Sequence, residues 1–367
     1  MRILMLNYEF PPLGGGASPV SYEIAKGYVK LGHKVDVVTM GFKGLPNFEI
    51  KDGIKIYRVK CLRSKKEICY PHEMLTYIIS AKLFLKNHLK NNKYDINHTH
   101  FIIPTGIVSL WAKKFFGLPY IITSHGSDVL GYNKRFNKLY PLLKGIWKKI
   151  IKEAKVVVTP SKFLEDKIKE LTLNGKIIII PNGIDITKFK PLKKKNRILV
   201  VSRLFVNKGV QDILDALNDD KLKQILRKKK WEIDIVGDGP YKQFLENKVK
   251  ENGLNDLVKF QGWVDNSSKK MKLLYGQSKI FISASYFESF GLNILEAISA
   301  GCDLIVSDLN SHKSIINKRK NYFRKGNISE LRKTLLNKLK YPEQNDKRNL
   351  DLYKWDTIIL EYFKVLK

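Results

Sequence analysis

The sequence predicts an α/β protein of two Rossmann-like, doubly wound domains, and three observations carry that expectation. Apolar, strand-like runs alternate with stretches of helical spacing in both halves of the chain. Those runs end in short polar or glycine-bearing loops, as the carboxyl ends of buried parallel strands do. The chain has 367 residues, long for one core, and the basic, aperiodic stretch Pro191 to Asn196 reads as a linker. The boundaries that follow are 1–190 for the first domain, 191–196 for the linker and 197–350 for the second domain.

In chain order, Arg2 to Leu6 reads as a strand, followed by a loop that opens a helix at about Ser18. The loop holds Gly14, Gly15 and Gly16. Consecutive glycines let a backbone approach a ligand closely, and a helix start adds its dipole. The string is not G-x-G-x-x-G, so no dinucleotide fingerprint is read from it. Gly32 caps the first helix and Lys34 to Thr39 is the next strand. Residues 41–70 are less regular, with a strand at Ile54 to Val59, and a helix runs from about Glu73 to Lys90. Tyr94 to His100 ends a strand on which His98 and His100 share one face; that pair could hold a metal, but no third ligand is evident nearby. Pro119 to Thr123 is a buried strand ending in Ser124-His125-Gly126-Ser127-Asp128.

Residues 132–155 are basic and aromatic, with helical spacing from Leu139 and an apolar stripe of Leu142, Leu143, Ile146, Trp147, Ile150 and Ile151. Such a helix can lie on an anionic membrane or pack on the sheet with lysines snorkelling at its edge; packing on the sheet is the favoured reading. Val156 to Pro160 and Lys176 to Pro181 are further strands, with Ser161 as a helix cap.

In the second half, Arg197 to Ser202 is the first strand, and Arg203 and Lys208 lie in the loop after it. Two fixed cations there would stabilise the charge that grows on a departing nucleoside diphosphate. Trp231 to Val236 leads into Gly237-Asp238-Gly239-Pro240, and Val258 to Gly262 into Trp263-Val264. The stretch Phe281 to Asp308 is a strand–loop–helix–strand unit. Glu288 precedes its helix and Glu296 lies within it, and the unpaired N–H groups of Gly291 to Asn293 stand between them. A phosphate at that helix start would have a hydroxyl-accepting carboxylate on each side, which suggests a nucleotide sugar. Spacing alone leaves solvated, inert carboxylates equally open.

Composition limits the alternatives. Hydrophobic residues make up 44% of the chain, but no apolar run approaches the roughly 18–20 residues that span a membrane. Met1 to Leu6 is too short for a signal peptide. Cys61, Cys69 and Cys302 are odd in number and show no C-x-x-C pairing, which suits a reducing cytosol. The net charge of +32 invites nucleic acid or an anionic membrane surface. Lysine is spread over nearly every helix, which accounts for most of the excess, so nucleic acid is not the expected partner, while a local basic patch on a membrane stays open.

The string E-S-F-G-L-N-I-L-E-A-I-S-A-G, from Glu288 to Gly301, closely resembles the E-x7-E motif of retaining GT-B glycosyltransferases, in particular glycosyltransferase family 4. Other strings resemble that family in the same order: D-x-x-H-x-H ending at His100, H-G-x-D at His125 to Asp128, I-P-N-G-I-D from 180 to 185, S-R-L-x-x-x-K-G from Ser202, and G-x-G-P from Gly237. After Asp308 the match weakens, because Leu309-Asn310-Ser311-His312-Lys313 stands where the family commonly has a glycine pair and a glutamate.

The resemblance implies the GT-B architecture, with both domains facing a central cleft and residues 351–367 forming a helix that packs back on the N-terminal, acceptor-side domain. It implies a retaining transferase that moves a sugar from a UDP-, GDP- or ADP-linked donor to a carbohydrate or lipid-linked acceptor, such as a cell-envelope glycan. No cofactor is expected, and no metal, since Arg203, Lys208 and helix N-termini would take a bridging cation's role. His125, Arg203, Lys208 and Glu288 become the catalytic candidates. The donor would be held by Gly14, Gly15, Gly16, Ser202, Gly237, Val264, Phe290, Gly291, Leu292, Asn293 and Glu296, and Asp128 would lie beside the acceptor. The expected location is cytoplasmic, peripheral at the inner face of the membrane. A nucleotide-sugar epimerase of the same architecture, a pyridoxal-phosphate phosphorylase and a non-catalytic basic binding protein for membrane or nucleic acid are the competing readings.

Overall fold

The computed structural model describes residues 1–131, 140–316, 318–341 and 348–367. Its contacts divide the chain into two compact units, Met1–Gly183 with Trp355–Lys367, and Ile184–Lys354.

The first unit runs β1 (Arg2–Leu6), α1 (Ala17–Lys30), β2 (Lys34–Met40), β3 (Phe48–Lys51), β4 (Ile54–Val59), α2 (Pro71–Asn91), β5 (Ile96–His100), α3 (Thr105–Phe116), β6 (Tyr120–Thr123), α4 (Tyr140–Glu153), β7 (Val157–Thr159), α5 (Lys162–Lys169) and β8 (Ile177–Ile179). Its strands lie in the order β3-β4-β2-β1-β5-β6-β7-β8. Every pairing is parallel except β3 with β4. The chain leaves β1 toward β2 on one side and returns at β5 on the other, so the switch point lies between β1 and β5. The central strands are buried on both faces, which is why their sequences read as unbroken apolar runs.

The second unit runs β9 (Lys195–Val201), α6 (Val210–Leu217), α7 (Asp220–Lys228), β10 (Glu232–Val236), α8 (Lys242–Glu251), β11 (Val258–Gly262), α9 (Lys269–Gln277), β12 (Ser278–Ser283), α10 (Leu292–Ser299), β13 (Asp303–Ser307), α11 (Asn310–Lys313), β14 (Tyr322–Phe323) and α12 (Ile328–Lys340). Its all-parallel sheet has the order β11-β10-β9-β12-β13-β14. The switch point is between β9 and β12.

The last helix, α13 (Trp355–Leu366), belongs to the first unit. It lies against α1, where Gly27 has no β-carbon: one placed there would come 2.3 Å from Ile359 Cγ1. Tyr362 is buried, and its hydroxyl accepts from Thr123 Oγ1 at 3.3 Å.

The division between units differs from the one expected at Pro191 to Asn196. Phe189 is buried in the second unit's core, with its ring 4.5 Å from that of Tyr275. Ser299 Oγ donates to the carbonyls of Ile186 and Phe189. Lys194 donates to the carbonyls of Ser278 and Ala300, and Lys195 already begins β9. The stretch looked like a linker because its lysines break the apolar pattern, yet its backbone and Lys194 are tied to the sheet. The chain instead changes unit after Gly183 and after Lys354.

On α4, Trp147, Ile150 and Ile151 are fully buried and the Trp147 indole donates to Asp128 O at 3.0 Å, so the helix packs on its own sheet. Leu142 does not join that stripe, being 80% exposed. Residues 132–139, where the basic aromatic stretch begins, lie outside the described residues. Among the described residues, no helix is long and apolar enough to cross a membrane.

Candidate active site

Open α/β sheets bind ligands outside the carboxyl ends of the strands at the switch point. In the second unit the loops that meet there follow β9, β10 and β12. They come unusually close, and glycine permits it. Gly237 has φ +132°, and a β-carbon on it would lie 1.8 Å from Ser202 O; at Gly209, with φ +66°, one would lie 1.9 Å from Ala284 O. Tyr286 pins the same loops: its N–H donates to Asn207 O at 2.9 Å and its hydroxyl to Asp212 at 2.8 Å.

Those loops carry the charges. Lys208 Nζ lies 2.5 Å from Glu288 Oε1, which also accepts from Ser285 Oγ at 3.0 Å. Burial works against ionisation of Glu288, but the charge and hydrogen bond of Lys208 outweigh it and hold the carboxyl below the usual carboxylate range. Arg203 is exposed, its guanidinium stands 5.3 Å from the Phe205 ring centroid, and it forms no ion pair among the described residues. Ser202 Oγ is buried with no hydrogen-bond partner among the described residues.

Gly291, with φ +105°, opens α10 without a side-chain cap, so the first N–H groups of that helix stay uncapped by side chains. Asn293, expected at the donor, turns its amide inward and donates to Val201 O at 2.9 Å, fastening α10 to the end of β9. Phe290, also expected at the donor, has a side chain that is 3% exposed and packs in the core against Tyr353. Leu292 and Val264 are half-buried against that core. The Glu296 carboxylate accepts from Asn266 Nδ2 at 2.9 Å and from the Tyr275 hydroxyl at 2.8 Å. Burial nevertheless pushes its pKa up.

His312 was not among the expected site residues, and only the departure from the family pattern at 309–313 marked its segment. It is fully buried, and its Nδ1–H donates to Ser307 O at 2.8 Å, which fixes the tautomer and leaves Nε2 a buried lone pair without a partner among the described residues. The ring lies beside Gly291, whose missing β-carbon would stand 3.6 Å from Cδ2. Burial lowers its pKa although the charge of Glu288 raises it.

In the first unit, Gly14, Gly15 and Gly16 precede α1 directly, and Gly14 N–H donates to Lys66 O at 2.8 Å. His98, His100 and His125 form a stack, with ring centroids 4.5 and 5.3 Å apart. His98 is engaged at both nitrogens, by the Tyr28 hydroxyl and Thr123 Oγ1, and His100 Nδ1 shares a hydrogen bond of 3.0 Å with His125 Nε2. Burial lowers all three, His98 and His125 to about 3. Among the described residues, no group of three or more His, Cys, Asp or Glu could hold a metal ion.

Asp128, expected beside an acceptor, is 5% exposed. Its Oδ1 accepts from His125 N, Gly126 N and Ser124 Oγ, and its Oδ2 from Ile102 N at 2.7 Å. It holds the turn that presents His125.

Two doubly wound units, one with cations and a carboxylate at its switch point, define a class of two-domain α/β proteins that take ligands at the carboxyl ends of parallel strands. Comparison with known proteins narrows the class. The family model described as Glycosyltransferase Family 4 matches residues 14–188, and that described as Glycosyl transferases group 1 matches residues 183–351. The chain belongs to this family of glycosyltransferases. An uncharacterized glycosyltransferase of Methanocaldococcus jannaschii is 27% identical over 337 residues, covering 86% of this chain and 83% of the relative. Sucrose-phosphate synthase from Thermosynechococcus elongatus superposes with a TM-score of 0.85 at 18% identity, covering 100% and 98% of the two chains. HepE of Anabaena, solved in complex with UDP and glucose, gives 0.74 at 18% identity, covering 100% and 99%. The fold is that of the GT-B enzymes.

Proposed function

We propose that the second unit binds a nucleotide-diphosphate sugar and that the enzyme transfers the sugar, with retention, to a carbohydrate or lipid-linked hydroxyl. The observation that carries the reading lies in the loops at the β9–β12 switch point, where Lys208 is paired with Glu288 and Arg203, on the same loop as Lys208, is exposed and forms no ion pair among the described residues. UDP bound to HepE supports a nucleotide donor.

In this reading Arg203 and Lys208 hold the diphosphate, and Glu288 accepts hydrogen bonds from the sugar. Glu296 serves the ribose hydroxyls with the lone pairs that Asn266 and Tyr275 leave. As the bond between sugar C1 and the β-phosphate oxygen breaks, the electron pair leaves with the phosphate, whose charge the two cations stabilise without a bridging metal. The acceptor oxygen forms its bond to C1 on the same face, and its proton passes to the departing phosphate oxygen. No residue is needed as a covalent nucleophile. The first unit, with its glycine loop and neutral His125, is assigned to the acceptor side.

The test is calorimetry with UDP, GDP and ADP and their sugars in the presence of EDTA, followed by NMR of the product's anomeric centre. One nucleotide should bind, with affinity lost in Arg203→Ala, and the product should keep the donor's configuration. Binding of none of the three, or an inverted product, would refute the reading.

A further inference from the structure

Helix α2 buries one face in the core of the first unit, through Met74, Tyr77, Ile78, Ala81 and Leu85. The opposite face of a surface helix is ordinarily polar. Here it carries Leu75, Ile79 and Leu83, which are 60, 60 and 64% exposed. Their four-residue spacing makes one continuous stripe along the helix. Leu62, also exposed, extends it: its N–H donates to Thr76 Oγ1 at 3.0 Å, which fastens the preceding segment beside the stripe.

At 3.6 residues per turn, Lys82, Lys86 and Lys90 fall on the same face as the three aliphatic residues. No exposed acid offsets them within the helix. Its one acidic residue, Glu73, is 1% exposed and accepts from the N–H groups of Ser64 and Tyr70. The face is therefore both aliphatic and cationic over a helix about 30 Å long.

We infer that this face of α2 seats the protein on an anionic lipid surface. Aliphatic side chains suit the acyl boundary of a bilayer and the lysines suit its phosphates, the pattern of a helix that lies in the interface plane. Two other partners fit less well. A nucleic acid would make no use of three exposed aliphatic residues, which give its bases no ring to stack on. A second copy meeting the first through the same face would bring like-charged lysines together. The inference stands on the first unit alone and does not depend on the proposed donor site.

The test is flotation of the purified full chain with vesicles of phosphatidylcholine alone and of phosphatidylcholine mixed with phosphatidylglycerol, at low and high salt. The chain should float with the mixed vesicles and less so at high salt. Leu75→Gln/Ile79→Gln/Leu83→Gln should lose about tenfold or more of that binding, with the thermal melt and nucleotide binding unchanged. Lys82→Gln/Lys86→Gln/Lys90→Gln, which leaves the apolar stripe in place, should lose the preference for phosphatidylglycerol, and it decides the question if the first variant fails to fold. The inference is overturned if the wild-type chain does not float, or if a folded variant floats as the wild type does. It is overturned equally if sedimentation shows a dimer that the leucine-stripe variant abolishes.

Discussion

Lys208 Nζ and Glu288 Oε1 stand 2.5 Å apart, joining the loops that follow β9 and β12, the two strands between which the second sheet reverses direction. The side chains are only 14 and 15% exposed, so neither charge is well solvated without the other. Glu288 is held below the ordinary carboxylate range by this partner against the opposing effect of burial. Its contribution to stability is therefore complete above the unfolded value of about 4.3 and is lost as pH falls through the lower folded value. In a double-mutant cycle of Lys208→Met and Glu288→Gln, urea melts at pH 7 should give a coupling of about 1–3 kcal/mol. The coupling should shrink once the pH falls below the folded value. A coupling that is absent at pH 7 would mean that the loops are held by other contacts.

Arg203 stands in contrast to Lys208, because it is exposed and has no acidic partner among the described residues. Replacing it by alanine should leave folding stability within about 0.5 kcal/mol of the wild type. Transfer should fall by about a hundredfold, as removal of one preorganised charge donor typically does. Chemical melts beside steady-state kinetics separate the two effects. Equal losses in both would mark Arg203 as structural.

Much of this site was legible in the sequence, and the part that was not has a physical reason. Arg203, Lys208, Gly237 and Glu288 sit in short strings at strand ends, where local pattern and position in the fold coincide. Glu296 was visible, but its partners Asn266 and Tyr275 were not, since the segments that supply them meet α10 only after the sheet is assembled. Asn293 and Phe290 lie within the recognisable motif, yet their side chains turn inward, a choice that packing makes and spacing cannot report. Strand β3 escaped notice because it is an exposed antiparallel edge without a buried face to create alternation. The unit boundary was misplaced because lysine content obscured a segment whose backbone is tied to the sheet.

Asp128 was expected at an acceptor, and its hydrogen bonds predict something different. One oxygen accepts from two backbone N–H groups and a hydroxyl, and the other from Ile102 N. An asparagine amide here would place an N–H donor where the protein supplies only donors, so Asp128→Asn should lose about 2–3 kcal/mol of stability. The loss should appear in thermal melts whether or not an acceptor is present. A variant with wild-type stability and a raised KM for the acceptor would restore the expected role.

The stacked histidines make the first unit sensitive to acid. His98 is fully buried and neutral, with burial first and the neighbouring His125 second lowering it to about 3, whereas an unfolded histidine titrates at about 6.5. Between those values the unfolded chain binds a proton that the folded chain does not, so stability must fall as pH drops below about 6.5. The slope from this one residue is on the order of 1 kcal/mol per pH unit. His98→Gln cannot take up that proton in either state. It should start less stable at pH 7, where it loses the paired contacts to Tyr28 and Thr123, and lose stability less steeply toward pH 4. Urea melts at intervals across that range give both slopes, and parallel lines would show that His98 is already protonated in the folded protein.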